Sequence, residues 1–205
     1  MTQSTNAILL YGFPLSGHAH RARLMLNLLG LAFEETLVDL AKGEQKHPEF
    51  LEVNVFGKVP VIVDDGTVIA DSNAILVYLA LRYDPERSWL PKDPVVQAEI
   101  QRWLSIAAGP LAYGPAAARV SEVFGAPRDE AHPAIAKDLF TAMERHLAGR
   151  DWLVAATPTI ADLALYTYCA HAPEGRISLD PYPRLRGWVA RVEALPRFVP
   201  MQRAA

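Results

Sequence analysis

The stretch KVPVIVDDGTVIADSNAILVYLALRY, residues 58–83, decides how the chain is read. Val59–Val63 and Thr67–Ala70 are short runs rich in β-branched residues, joined by Asp64-Asp65-Gly66. Asp-Gly between such runs signals a hairpin, because both central residues of the tight turn need φ > 0. After the second run, Ile75, Leu76, Leu79 and Tyr83 recur at helical spacing and predict a helix over Ser72–Tyr83. Pro60 stands near the start of the first run. It cannot donate to a ladder, so an edge position or a cis bond is expected there.

Working outward, Ala7–Tyr11 (AILLY) is a short apolar run ended by Gly12 and Pro14, which suits a buried strand. A helix is expected over about residues 18–29, with Ala22, Met25, Leu26 and Leu29 on one stripe and Gly30 at its C-terminal cap. Phe33–Leu40 is a second strand candidate. Lys42–Val53 reads as loop with a short helix, interrupted by Pro48. The order is β-α-β, an irregular link, then β-β-α. A strand-helix-strand unit requires a parallel pair, and the hairpin adds an antiparallel strand. That is the thioredoxin-like plan, so the expected class is α/β followed by all-α.

Asp84–Pro94 (DPERSWLPKDP) has three prolines, mixed charge and no periodicity, and it reads as a linker. Beyond it only helical patterns occur. Ile100, Trp103, Leu104 and Ala107 mark one helix; Ile135, Leu139, Met143 and Leu147 another; Leu185, Trp188, Val189, Val192 and Leu195 the last. Thr159-Ile160-Ala161-Asp162 precedes an apolar run and fits a capping box, with Pro158 breaking the chain before it. The expected division is residues 1–84, a linker over 85–93, and a helical domain over 94–205.

Composition excludes several classes. The 205 residues carry a net charge of −3, split as −4 up to Asp84 and +1 beyond, so neither half is a basic nucleic-acid module. Cys169 is the only cysteine, which rules out an internal disulfide and a thiolate zinc cluster and suits a reducing compartment. The first basic residue is Arg21 and the apolar run Ala7–Tyr11 is short for a signal core, so a cytoplasmic protein without a membrane span is expected. His18 and His20 stand two apart on a helix and do not share a face, so no metal site is expected from them.

Four features of the first 84 residues point to one small-molecule site. Val59-Pro60 at a strand start leaves the Val59 backbone able to pair with something extended. Asp71-Ser72 stands at a helix start, with Ser72 a good cap and the exposed amides suited to a carboxylate. Ser16 lies between the first strand and the first helix, where a hydroxyl and the helix dipole stabilise an anion. Lys46 and Lys58 are candidate cations. Each alone has an ordinary structural explanation; together they define a pattern.

That pattern resembles the glutathione transferase superfamily, in its Ser-type, bacterial and phi–theta-like members. Tyr182-Pro183-Arg184-Leu185-Arg186-Gly187-Trp188 is also similar to the family's last-helix signature. The resemblance implies a thioredoxin-like domain followed by an all-helical domain, a cytoplasmic homodimer, and a detoxifying transferase of alkyl or aryl groups with glutathione as co-substrate. It implies no metal, no nucleic acid and no membrane. Val59 then pairs its backbone with the cysteinyl unit beside Pro60, Asp71 meets the γ-glutamyl ammonium and Ser72 its carboxylate. Lys46 faces the glycyl carboxylate, because Gly43-Glu44-Gln45-Lys46 is similar to the phi class; Lys58 stands where that class commonly has Gln. Ser16 is the expected thiolate stabiliser, since Gly12–His18 looks like the Ser-type branch; Tyr11 is the substitute. Phe13, Leu15, Trp103 and Tyr113 are the candidates to line a pocket for a hydrophobic electrophile; Ala107 and Tyr166, and His18 at the mouth of the site, are further options, set against the ordinary reading of such residues as core. Conjugation, or peroxide or disulfide reduction, follows. Two other readings remain: a non-catalytic protein-interaction module of the same fold, and an isomerase or dehalogenase of zeta or theta type. The absence of a Ser-Ser-Cys stretch around Ser16 argues against the zeta version.

Overall fold

The computed structural model describes residues 7–204; the ends of the two expected domains, residues 1–6 and 205, lie outside the described residues. The chain divides into two compact units. One holds the described residues up to Pro85 together with Pro196–Gln202. The other holds Glu86–Leu195 with residues 203–204.

The first unit is a four-stranded sheet with three helices. Its elements run β1 (Ile8–Gly12), α1 (Gly17–Leu28), β2 (Phe33–Leu37), a 3-10 turn (Glu44–Lys46), α2 (Pro48–Val53), β3 (Val61–Asp64), β4 (Thr67–Ala70) and α3 (Ser72–Tyr83). The spatial order is β2-β1-β3-β4. β1 pairs parallel with β2, Ile8 opposite Phe33, and antiparallel with β3, Leu10 opposite Ile62. The hairpin closes as expected: Asp65 (φ 52°) and Gly66 (φ 78°) fill a two-residue turn between Asp64 and Thr67. Pro48 does not interrupt a helix but starts α2, where its missing N–H costs nothing. Strand β2 ends at Leu37, three residues short of expectation.

Alternation along β2 assigns the two faces of the sheet. Glu35 pairs with Arg23 of α1, while Thr36 faces a cleft lined by Phe50 and Val53 of α2, so α1 and α2 cover opposite faces. On the α2 side, Val38, Phe50 and Val61 form a small core that includes the Tyr11 ring. The α1 and α3 side buries Leu24, Met25, Ile75, Leu76 and Leu79.

The returning segment Pro196–Gln202 belongs to the first unit, an arrangement no sequence pattern signals. Buried His20 of α1 meets the Val199 carbonyl at 2.8 Å, and Met201 is buried.

The second unit is helical: α4 (Pro94–Ala108), a π turn (Ala112–Ala116), α5 (Ala117–Phe124), α6 (Ala131–His146), α7 (Ile160–Ala170) and α8 (Pro183–Glu193). Periodicity did not mark α5, an eight-residue helix that leaves the π turn without a cap. α7 is buried along nearly all its length and packs on α4 and α8. The capping box forms as expected, with Thr159 N–H donating to Asp162 Oδ2 at 2.8 Å. Among the described residues no helix is long and apolar enough to cross a membrane.

Candidate functional site

Ser16 caps α1. Its backbone is extended (φ −84°, ψ 113°), and its Oγ accepts from the Ala19 N–H at 3.2 Å. A hydroxyl that accepts this way retains its own proton for donation. The cap and the donor are therefore compatible roles of one side chain.

Tyr11 lies elsewhere. Its ring packs edge-on against Phe50, centroids 6.0 Å apart, on the α2 face of the sheet. Ser16 belongs to the loop that enters α1, on the other face.

At the start of α3 the structure corrects one expectation. Ser72 is not the cap; Asp71 is. Asp71 Oδ1 accepts from the N–H groups of Asn73 (2.9 Å) and Ala74 (3.0 Å). Its backbone is held at φ 76°, a conformation that is strained for a residue with a Cβ. Ser72 is the first helical residue. It is buried, and its Oγ lies 3.1 Å from Arg21 Nη1 and 3.3 Å from His18 Nδ1. Arg21 also reaches His18 Nδ1 at 3.1 Å and Asn73 Oδ1 at 3.4 Å. His18 is pushed down to about 3, first by burial and then by the charges of Arg21 and Lys58, so its ring is neutral at physiological pH.

The third wall is the loop before β3. The Val59-Pro60 bond is cis, and the pairing of β3 with β1 begins at Val61, so Val59 stands outside the ladder. Buried Asn54 holds this loop: Nδ2 donates to the Lys58 carbonyl at 2.8 Å, and Oδ1 accepts from Phe56 N–H at 3.2 Å. Gly57 (φ 56°) fits here because a Cβ would come within 2.5 Å of the Gln45 carbonyl. Exposed Lys46 donates to the Phe56 carbonyl at 3.2 Å, so it braces this loop whatever else it binds.

Ser16, Lys46, Lys58, Val59, Pro60, Asp71 and Ser72 thus all belong to the first unit. His18 and Arg21 connect the Ser16 end of α1 with Ser72, and Lys58 acts on His18. Of the side chains expected to line a pocket, Phe13 and Leu15 are half-buried on the Ser16 loop. Trp103 is buried within the helical unit, edge-on to His146, and Ala107 and Tyr166 are buried there too; Tyr113 is exposed. Cys169 is buried. Among the described residues no three His, Cys, Asp or Glu side chains gather to hold a metal ion.

Sequence reasoning did not single out Arg21, Asn54 or Asn73. Arg21 did leave a signal. It lies four residues before Met25, on the stripe of α1 that faces inward, and a charged residue there must have a buried partner.

Both units of the chain match known proteins. Residues 15–82 match the family described as "Glutathione S-transferase, N-terminal domain", and residues 128–199 match "Glutathione S-transferase, C-terminal domain". Glutathione S-transferase 3 of Zea mays is 31% identical, covering 92% of this chain and 90% of that one. Glutathione S-transferase 1 of Dianthus caryophyllus is 49% identical over 92 residues, 45% of this chain and 41% of its own. The crystal structure of a glutathione S-transferase from Pseudomonas fluorescens Pf-5 superposes with a TM-score of 0.88 at 35% identity, covering 97% of this chain and all of that one.

Proposed function

Because the chain belongs to the glutathione transferase superfamily, we propose that it activates the glutathione thiol at Ser16 and directs the thiolate at a hydrophobic electrophile. The observation that carries this reading is the Ser16 hydroxyl at the α1 N-terminus, which accepts from Ala19 N–H and keeps its proton to donate. A free thiol has a pKa of about 8.5, so only a few per cent is ionised at neutral pH. A hydroxyl donor and a helix N-terminus lower that by about 1–2 units. The Tyr11 ring, packed on Phe50 across the sheet, supports Ser16 over Tyr11 for this task.

The remaining roles follow from the same unit. Val59, outside the β ladder, pairs its backbone with the cysteinyl unit beside Pro60. Asp71 takes the γ-glutamyl ammonium and Ser72 the carboxylate. Lys46, and beside it Lys58, serve the glycyl carboxylate. Phe13 and Leu15 supply apolar surface next to the thiolate, which attacks an electrophilic carbon, a peroxide or a disulfide. The protein binds, orients and stabilises the anion, and forms no covalent intermediate. No metal takes part. We further propose a cytoplasmic, detoxifying homodimer. The single buried cysteine supports the setting, and Leu81 of α3 and Val95 of α4, both large, apolar and exposed, support pairing with a second copy. Sedimentation at micromolar concentration is expected to give the dimer mass, and a monomer overturns that part.

Ultraviolet absorbance of the purified protein with glutathione at neutral pH tests the central claim. The expected result is a thiolate band absent from free glutathione, with turnover of at least one member of a panel of aryl halides, peroxides and disulfides. Glutathione binding without a thiolate band or turnover would favour the interaction-module alternative.

A further inference from the structure

Arg21, His18 and Ser72 form a closed triangle of polar atoms between the first turns of α1 and α3. Arg21 Nη1 lies 3.1 Å from His18 Nδ1 and 3.1 Å from Ser72 Oγ, and His18 Nδ1 lies 3.3 Å from Ser72 Oγ. Arg21 and Ser72 are buried.

The donor inventory fixes how the triangle is wired. A guanidinium only donates. His18 Nδ1 facing it must be the unprotonated nitrogen, so the ring proton is on Nε2. A neutral imidazole offers one lone pair at Nδ1, and the Arg21 N–H and the Ser72 hydroxyl both reach it. A charged donor outcompetes a neutral one. The two protons of Nη1 fill His18 Nδ1 and Ser72 Oγ, with Asn73 Oδ1, at 3.4 Å, the weakest partner. The Ser72 proton then has no use inside the triangle.

We propose that Arg21 is a positioning residue for glutathione binding: by occupying His18 Nδ1 it keeps that acceptor from the Ser72 hydroxyl and so directs the Ser72 proton to the γ-glutamyl carboxylate. This rests on the reading of Asp71-Ser72 as the γ-glutamyl subsite. Without Arg21, the Ser72 hydroxyl closes onto His18 Nδ1 and is lost to the ligand. The arrangement also needs His18 to stay neutral. The charged groups facing His18 are Arg21 from its own helix and Lys58 from the loop before β3, and both oppose its protonation; the polar groups facing it from α3 are Ser72 and, through Arg21, Asn73.

The test has a spectroscopic arm on the unaltered protein. Ring 15N shifts of His18 are expected to report the Nε2–H tautomer, unprotonated at Nδ1, from pH 5 to 8. An Nδ1–H tautomer makes His18 a donor to Ser72 and overturns the proposal. The second arm is glutathione affinity by calorimetry. Ser72→Ala and Arg21→Met are each expected to weaken binding by about tenfold or more, and the double variant no further, because Arg21 acts through Ser72. Adding His18→Phe to Arg21→Met removes the competing acceptor and is expected to recover much of the loss. If Ser72→Ala binds like the parent, the subsite reading itself fails. If Ser72→Ala weakens binding but His18→Phe recovers nothing, or the Arg21 and Ser72 losses add, only the role of Arg21 fails. Should Arg21→Met not fold, the tautomer measurement decides alone.

Discussion

Two helix starts in this molecule use the same chemistry, a carboxylate and a hydroxyl, toward opposite ends. At α7, Thr159 and Asp162 close on each other. Buried Asp162 accepts from Thr159 N–H, Thr159 Oγ1, Leu153 N–H and Trp188 Nε1. Burial pushes its carboxyl pKa up and these donors pull it back. Nothing is left over. At α3, exposed Asp71 caps from a strained backbone, and Ser72 points not at its own helix but at Arg21 and His18. The α7 cap satisfies itself; on the proposed reading the α3 cap keeps a proton and an oxygen for the ligand.

The largest effect belongs to the closed cap. Asp162→Ala orphans buried donors on Leu153, Thr159 and Trp188 together. The expected cost is about 3–4 kcal/mol, read as a Tm lower by roughly 10 °C. Per folded molecule, glutathione affinity should stay near the parent value. A Tm within two degrees of the parent would show that the box is not the anchor of α7.

At the open cap, stability and binding should separate. Asp71→Ala removes the partner of the ligand ammonium and should weaken glutathione binding by about 2–3 kcal/mol. Asp71→Gly is the sharper variant. Glycine tolerates φ 76° and serves as a helix cap at a cost of only a few tenths of a kcal/mol. Its Tm should therefore stay close to the parent while binding falls as in Asp71→Ala. Calorimetry and melting on the same preparation check both. Unchanged affinity in either variant would remove Asp71 from the site.

What was readable in advance follows the same line. Local, self-contained features were legible: the Asp65-Gly66 turn, the apolar stripes of α1 and α3, and the Thr159–Asp162 box each write their own pattern into neighbouring residues. Ser16, Val59-Pro60 and Asp71-Ser72 were legible as a candidate site only in combination, because each alone is an ordinary cap or strand start. Features that depend on distant partners were not legible. Arg21 meets Ser72 across 51 positions, and the Pro196–Gln202 segment meets α1 through His20 and Val199 across 179. Asp71 as the cap in place of Ser72 was missed because the positive φ there arises from how β4 turns into α3, and residue preference does not report it.

On the proposed reading Ser16 stands between the two kinds of cap, one hydroxyl capping the helix and also serving the ligand. Ser16→Ala should cost about 1 kcal/mol of stability, the usual value of a lost N-cap. It should lower kcat by about 10–100-fold, or ~1.4–2.7 kcal/mol, with a smaller change in glutathione affinity, because the charge it stabilises is absent from the resting thiol. The thiolate band should weaken at neutral pH. Full turnover in Ser16→Ala together with its loss in Tyr11→Phe would transfer the role to Tyr11.

The smallest effect is on stability against pH, and it extends the comparison to the histidines. His18 in the first unit and His171 in the second both titrate below the ordinary value of 6.5, in each case chiefly through burial. For His171 the paired Glu174 carboxylate pulls the other way, whereas the charged neighbours of His18 both lower it further. The unfolded chain therefore binds more protons than the folded one once the pH drops below about 6.5. The stabilisation is complete above that value and is lost progressively as the pH falls toward the folded pKa of each ring. Glu174, whose carboxyl is held below its ordinary 4.5 by His171 and Arg119, adds a loss only at still lower pH. His171→Gln should flatten the Tm profile between pH 6.5 and 5 slightly. Replacing His18 with asparagine should flatten it more and over a wider range, because its folded pKa, about 3, lies far lower. Down to pH 5, where the loss through His18 is about 2 kcal/mol, each change should be smaller than the Tm loss in Asp162→Ala. Profiles that run parallel in the parent and both variants would mean that neither ring is held neutral by its surroundings, and would also remove the neutral His18 on which the wiring of Arg21 and Ser72 depends.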